Sequence, residues 1–370
     1  MNSLFRTKAI ALFLFLVTNI KKMDFSFERL FIFQLFYIAF FVSVTLMLLR
    51  THINYDVQFI RMYSTTFLTL AIFFINPNKI NVMPGLKIAA IIISVSTIFF
   101  AILFIYFPYF GMLTLLDTGG FSGIFAPAHY RRFLHWWIAT VFHRASPILL
   151  FPLALAFYSF LKTKNIKYMI YTVMVCAALF LSGTRANIFS GILIIYLIFT
   201  HYTCFTKKRV TSAFLLTLTA GVFFIIGTFL LLTVADSSAA AKEGHLHSYI
   251  EIFRDNPQYL LIGQGPGSYF YTTGFGKEVT NTELSYLDLI RMFGIFFSIA
   301  IVFIYLLPLF KIEKYNVTRN FSIAIAYLAY LFIAGTNPLL IGPTGFVALW
   351  IAYVLLVQSN NENRMAVLEK

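Results

Sequence analysis

Cysteine is almost missing from this chain of 370 residues, which has only Cys176, inside an apolar run, and Cys204, beside a basic loop. Two thiols so placed build neither a disulfide framework nor a thiolate metal site, and both read as ordinary packing. Charge is scarce as well. Only 11% of the residues are Asp, Glu, Lys or Arg, against 60% hydrophobic, and mean hydropathy is +0.83. A soluble domain carries roughly 25% charged residues, so a soluble globular class is excluded and the solvent is lipid. Also lacking are a Walker loop, a His/Cys ligand cluster, a Gly-x-Ser-x-Gly elbow and an Asp-x-Asp pair that would hold a divalent metal on a nucleotide sugar. These absences argue against a metal-dependent, nucleotide-using transferase.

Long apolar runs fill the space. A hydrocarbon layer of about 30 Å needs roughly 20 apolar residues per helix, and candidate spans fall at 9–20, 30–49, 62–75, 86–107, 145–160, 168–181, 187–200, 210–234, 284–309, 321–334 and 346–357. The expectation is an all-α integral membrane protein, one polytopic domain over 1–370, with 10–12 spans and a best count of 11. Arg6 and Lys8 precede the first run in the manner of a signal peptide, but no small-residue cleavage site follows, so the segment is expected to be retained.

Basic residues orient the spans, since Lys and Arg stay in short cytoplasmic loops. Lys21, Lys22 and Arg29, then Lys79 and Lys87, then Lys162, Lys164 and Lys167, then Lys207, Lys208 and Arg209, then Lys311, Lys314 and Arg319, and last Arg364 and Lys370 fall on alternate connections. The two long loops, about 108–144 and 235–283, are therefore expected on the periplasmic or exterior side. This alternation puts the N-terminus outside. The kind of basic residue also changes: Arg50, Arg61, Arg131, Arg132, Arg144, Arg185 and Arg254 stand outside, against only Lys242 and Lys277. Guanidinium is favoured where phosphate or carboxylate is gripped by two parallel hydrogen bonds, which points to an anionic, phosphorylated ligand.

Four constellations could carry chemistry. Leu181-Ser-Gly-Thr-Arg185-Ala-Asn187 is a small-residue turn that delivers one Arg to the membrane boundary, where a charge is either used or snorkels. His247 to Pro257 reads as a short amphipathic helix ended by Asn-Pro and carrying Arg254, and is followed by Gly263-Gln-Gly265-Pro-Gly267-Ser268, a segment able to turn sharply or let a ligand approach. It is not a dinucleotide fingerprint, for no strand precedes it and the third glycine is misplaced. Thr282-Glu283-Leu-Ser-Tyr-Leu-Asp288-Leu-Ile-Arg291 re-enters the membrane, with Glu283 as either a helix-start carboxylate or a general base, and with Asp288 and Arg291 spaced to pair inside the bundle. Finally His129-Tyr-Arg131-Arg132-Phe-Leu-His135-Trp136-Trp137 interleaves cations with rings, as interfacial anchors do and as a sugar phosphate would require.

Ser182-Gly-Thr-Arg185 opening a span, Asn256-Pro257 leading to Gly263-Gln-Gly265-Pro-Gly267, then Glu283-Leu-Ser-Tyr-Leu and Gly294, resembles the O-antigen polymerase and ligase superfamily over roughly residues 170–300. Arg254 with Gly265 resembles the Arg-x10-Gly pattern of polymerase loops. Ligases show a His-Asn or His-Ser pair at the re-entry helix, whereas Glu283 and Leu284 stand here, closer to the polymerase branch. The resemblance implies a metal-independent glycosyl transfer without cofactor, from a glycan on undecaprenyl pyrophosphate to a hydroxyl of another lipid-linked repeat, with a GT-C-like fold. It implies Arg185 and Arg254 as charge-neutralising catalytic residues and Glu283 as the base. Substrate-binding candidates are Arg131, Arg132, His135, Gly265, Gly267 and Arg291. Partners would be the membrane lipid and a chain-length regulator protein, with no nucleic acid. The rival readings are an O-antigen ligase, a flippase or transporter of lipid-linked oligosaccharide, and a non-catalytic scaffold; a transporter is disfavoured by the lack of an internal repeat or of paired broken helices.

Overall fold

The computed structural model describes residues 2–50, 52–107, 124–125, 129–133, 136–207, 221, 237–312 and 317–368. The described elements are α1 (Asn2–Thr18), α2 (Phe27–Leu48), α3 (Val57–Phe67, continuing as a 3-10 helix to Phe74), α4 (Met83–Tyr106), β1 (His129–Phe133), β2 (Trp136–Thr140), α5 (Leu150–Thr163, led in by a 3-10 turn from Ser146), α6 (Ile166–Leu181), α7 (Arg185–Lys207), α8 (Ser237–Asp255), α9 (Pro257–Ile262), β3 (Phe270–Thr272), β4 (Lys277–Val279), α10 (Ser285–Phe310), α11 (Val317–Gly335) and α12 (Pro343–Leu368).

Among the described residues, seven helices are long and apolar enough to cross a membrane: 27–48, 57–74, 83–106, 146–163, 185–204, 285–310 and 343–361. Two more apolar helices, Ile166–Leu181 and Arg319–Gly335, are shorter. The expected span at 210–234 lies outside the described residues, apart from Gly221. Local chemistry sets the ends. Asp56 caps α3 by accepting from Gln58 N (2.8 Å) and Phe59 N (3.2 Å), satisfying donors that have no partner within the helix. The α5–α6 connection is a tight hairpin, with Lys164 left-handed (φ 56°) and Asn165 capping the next helix through Lys167 N (3.0 Å).

Aromatic rings hold the bundle centre. Phe36 of α2 meets Phe346 of α12 edge-on at 5.2 Å and Tyr305 of α10 at 6.3 Å, while Phe67 of α3 packs on Phe40 at 5.1 Å. Phe36, Phe67 and Phe346 are fully buried. Two polar ties cross this core, Tyr327 Oη donating to Tyr305 O (2.7 Å) and Tyr305 Oη to Leu340 O (2.5 Å). At the lysine-rich end, Lys311 joins Glu28 at 3.1 Å, linking α10 to the start of α2.

The loops contain strands that an all-helical expectation omits. β1 and β2 pair antiparallel, as do β3 and β4. At three residues each, β3 and β4 are too short to show the alternation by which a strand declares itself. The helix expected to end at Asn256-Pro257 does end there, but it begins far upstream, at Ser237.

Candidate functional site

The second long loop is clamped to the bundle by one side chain. Arg291 in α10 is fully buried, and its guanidinium reaches in every direction: Nη1 donates to Gln264 Oε1 (2.9 Å), Ser268 Oγ (2.9 Å) and Ser268 O (3.1 Å). Nη2 donates to Thr280 O (2.6 Å) and Asp288 Oδ1 (3.0 Å), and Nε to the same carboxylate at 3.3 Å. The Phe270 ring lies 4.3 Å from the guanidinium carbon. Asp288 is engaged on its other oxygen by Thr282 N (2.6 Å). Five N–H donors thus meet protein acceptors. Arg291, a candidate for binding substrate, therefore has no donor left for an anion; it positions the loop.

The glycines, Gly265 and Gly267 among the substrate-binding candidates, also serve the packing of the protein itself. Gly263, Gly265 and Gly267 all have positive φ (77°, 109° and 84°), a backbone that only glycine takes without strain. A Cβ on Gly265 would strike the Met47 side chain, and one on Gly267 would sit 2.9 Å from Ile60 and 3.1 Å from Asp56 O. Close approach is what these positions need, but to α2 and α3. Asp56 N donates to Gly267 O (2.8 Å) and Tyr269 N to Asn54 O (2.9 Å), so the segment docks on the α2–α3 connection. Arg50 adds a bond to Gly263 O (2.8 Å) and lies over the Tyr259 ring at 5.4 Å.

Below this dock, α10 is interrupted. Gly294 has φ 74° and ψ 168° inside the span, and its backbone lies against Leu261 and Ile262 of α9, while Gly263 lies against Met292 O and Gly294 N. The broken turn leaves carbonyls without helical partners; Gln264 N takes up Arg291 O at 2.5 Å. Irregular backbone at such a depth is tolerated where protein satisfies it.

The catalytic candidates are distributed around the clamp. Glu283, half-exposed just before α10, faces Lys242 of α8 at 3.6 Å. Lys242 lines an open cleft of about 420 Å³ together with Glu243, Leu246, Leu284, Tyr286, Leu287 and Gly335. Arg254 is exposed at the end of α8 and pairs only with its neighbour Asp255, at 3.1 Å, among the described residues. Arg185 is half-buried as the first residue of α7. Its turn rests on the first loop: Val141 N donates to Leu181 O (2.9 Å), Gly183 (φ 68°) lies against Thr140, and Asn187 ties Ser146 and Ser182 at 2.9 Å each. Arg131 and Arg132 belong to β1, paired with Ile138 and Trp137 of β2; their side chains, and His135 altogether, lie outside the described residues.

Three residues that matter here were not singled out from sequence. Lys242 finds Glu283 across the whole loop. Tyr249 is buried and hydrogen-bonds Thr282 Oγ1 (2.9 Å), its phenol pushed well above the usual range by burial. His245, also on α8, is fully buried with Nδ1 2.6 Å from Thr272 Oγ1. The i, i+4 spacing of His245 and Tyr249 was the available signal, hidden because neither residue type marks an apolar face.

No protein-family model matches the chain, and no curated protein matches it either.

Proposed function

We propose that this chain polymerises undecaprenyl-pyrophosphate-linked O-antigen repeat units at the periplasmic face of a bacterial inner membrane, as a metal-independent glycosyltransferase. The observation that carries the reading is the split in the second loop between locked and available charge. Arg291 and the glycines are consumed in building a platform, while exposed Arg254 and half-exposed Glu283 remain presented on it, Glu283 paired with Lys242 at the lining of an apolar cleft. A platform fixed to a span suits a reaction whose substrate stays in the membrane.

The chemistry breaks the anomeric C–O bond of the donor glycan, and the electron pair leaves with the lipid pyrophosphate. Arg254 and Arg185 neutralise the charge that develops there. The acceptor hydroxyl forms the new glycosidic bond and gives its proton to Glu283, whose ion pair with Lys242 must first loosen. The bond energy of the activated lipid drives the transfer.

Arg254→Ala and Glu283→Gln are each expected to abolish chain elongation at normal protein levels, a loss of about 100-fold or more. Gel separation of lipopolysaccharide reads the result. A full ladder of glycan lengths from either variant would take that residue out of the mechanism.

One observation favours a second reading, transport of the lipid-linked oligosaccharide. Transporters bind cargo at discontinuous helices, and α10 is interrupted at Gly294. Deletion separates the readings: core carrying a single repeat means a lost polymerase, whereas core alone means a lost flippase or ligase.

A further inference from the structure

Hairpin β3–β4 lies on α8 and covers it. Thr273 N donates to Ser248 Oγ (3.0 Å), Thr273 Oγ1 donates to Gly244 O (2.8 Å), and the two hydroxyls are 3.2 Å apart. The crossing is glycine on glycine. A Cβ at Gly244 would come within 2.5 Å of Gly274 N, and one at Gly274 would collide with Ala241 O and the His245 ring. At that crossing the backbones of hairpin and helix meet with no side chain between them.

His245 lies beneath that crossing. It has no exposed surface, its Nδ1 meets Thr272 Oγ1 at 2.6 Å, and the Phe275 ring stands edge-on at 4.3 Å. Its Nε2 has no hydrogen-bond partner among the described residues. A neutral imidazole is tolerable there, but an imidazolium would put a second N–H and a full charge into a site that offers Nε2 no acceptor.

Three charges bear on the ring. Glu283, from the loop, and Asp288, from α10, favour the cation, while Lys242, on α8 itself, opposes it. Each carboxylate is already opposed, Glu283 by Lys242 at 3.6 Å and Asp288 by Arg291 at 3.0 Å. The side chains that meet the ring, Thr272 and Phe275, are neutral. Burial dominates and holds His245 below the usual histidine range.

We propose that hairpin β3–β4 is a proton-released cover: it closes over neutral His245, and lifts when His245 takes up a proton, baring the α8 face beside the Lys242–Glu283 pair. This regulates the site described above without depending on the chemistry assigned to it.

The sign follows from proton counting. The closed state holds no proton on His245, whereas the open state binds one with a pKa of about 6.5. Closure is therefore complete above that value and weakens as pH falls below it, by about tenfold per pH unit until the closed-state value is reached.

Hydrogen exchange of the backbone amides in 270–279 tests the cover, on the purified full-length chain in detergent, corrected for the intrinsic pH dependence of exchange. Protection in the wild type is expected to fall about tenfold or more from neutral pH to about pH 5, while His245→Gln stays flat. An unchanged wild-type hairpin, or a His245→Gln chain that loses protection in step with the wild type, overturns the proposal. Ser248→Ala removes latch bonds without touching the histidine, and guards against misfolding of the first variant. It is expected to lower protection about two- to tenfold at neutral pH and to keep the acid-dependent fall. Undiminished protection in Ser248→Ala would equally overturn it. A deletion strain with its glycan polymer intact would remove the proposed chemistry and leave the exchange result standing.

Discussion

Arg291 shows how residue type decides what a buried charge can do. Its planar fork supplies five donors in fixed directions, and five acceptors from four parts of the chain surround it. Lys has three donors on a flexible stem and cannot serve this geometry. Arg291→Met leaves Asp288 buried without its cation and is expected to cost about 3–5 kcal/mol, with Arg291→Lys only partly better. Thermal unfolding in detergent measures both, and the Arg254→Ala chain, altered at an exposed site, should melt with the wild type. The pairing of Asp288 with Arg291 was legible from their spacing, because positions three apart share a helical face. The partners Gln264, Ser268 and Thr280 were not, since nothing local to residue 291 announces them. For the same reason sequence could pick Glu283 as a candidate base without finding Lys242 opposite it.

At the scale of elements, the apolar spans were readable and the joints between them were not. Hydropathy locates α2, α4 and α10 because lipid imposes one requirement on every residue of a span. It is blind to the interruption at Gly294, for the residues on either side are as apolar as any others. A Cβ there would strike Leu261 O and Ile262 Cα, and the backbone is left-handed besides. Gly294→Ala is therefore expected to destabilise the chain by about 1–3 kcal/mol or more, whereas Gly85→Ala, which meets nothing within 4 Å, should be neutral. Fluorescence-detected size exclusion after graded heating would separate them; equal melting would mean that α9 does not press on α10. The glycine-rich segment reads in sequence as a sharp turn or a place where a ligand approaches; in the structure the protein's own Met47, Ile60 and Asp56 come close. A glycine records that room is needed and is silent about the occupant.

For the whole molecule, the distribution of Lys and Arg makes a prediction about sidedness that can be measured directly. Tyr271 is exposed on hairpin β3–β4, and Lys162 is exposed in the last turn of α5. With Cys176 and Cys204 replaced by Ala, Tyr271→Cys should react with an impermeant maleimide added outside spheroplasts, and Lys162→Cys only after lysis. The reverse pattern would invert the topology and exclude periplasmic chemistry. Composition sufficed for a bundle of membrane-length helices, but the shorter helices α6 and α11 can be told from spans only by what surrounds them.

The Arg291 clasp also orders events in time. Residues 264–268 and 280 are made before residue 291, so their polar groups lack this partner until the guanidinium is in place. The loop can take its final shape only when α10 enters the bilayer and brings the guanidinium with it. A released chain truncated before Arg291 should therefore present a loop that proteases cut freely.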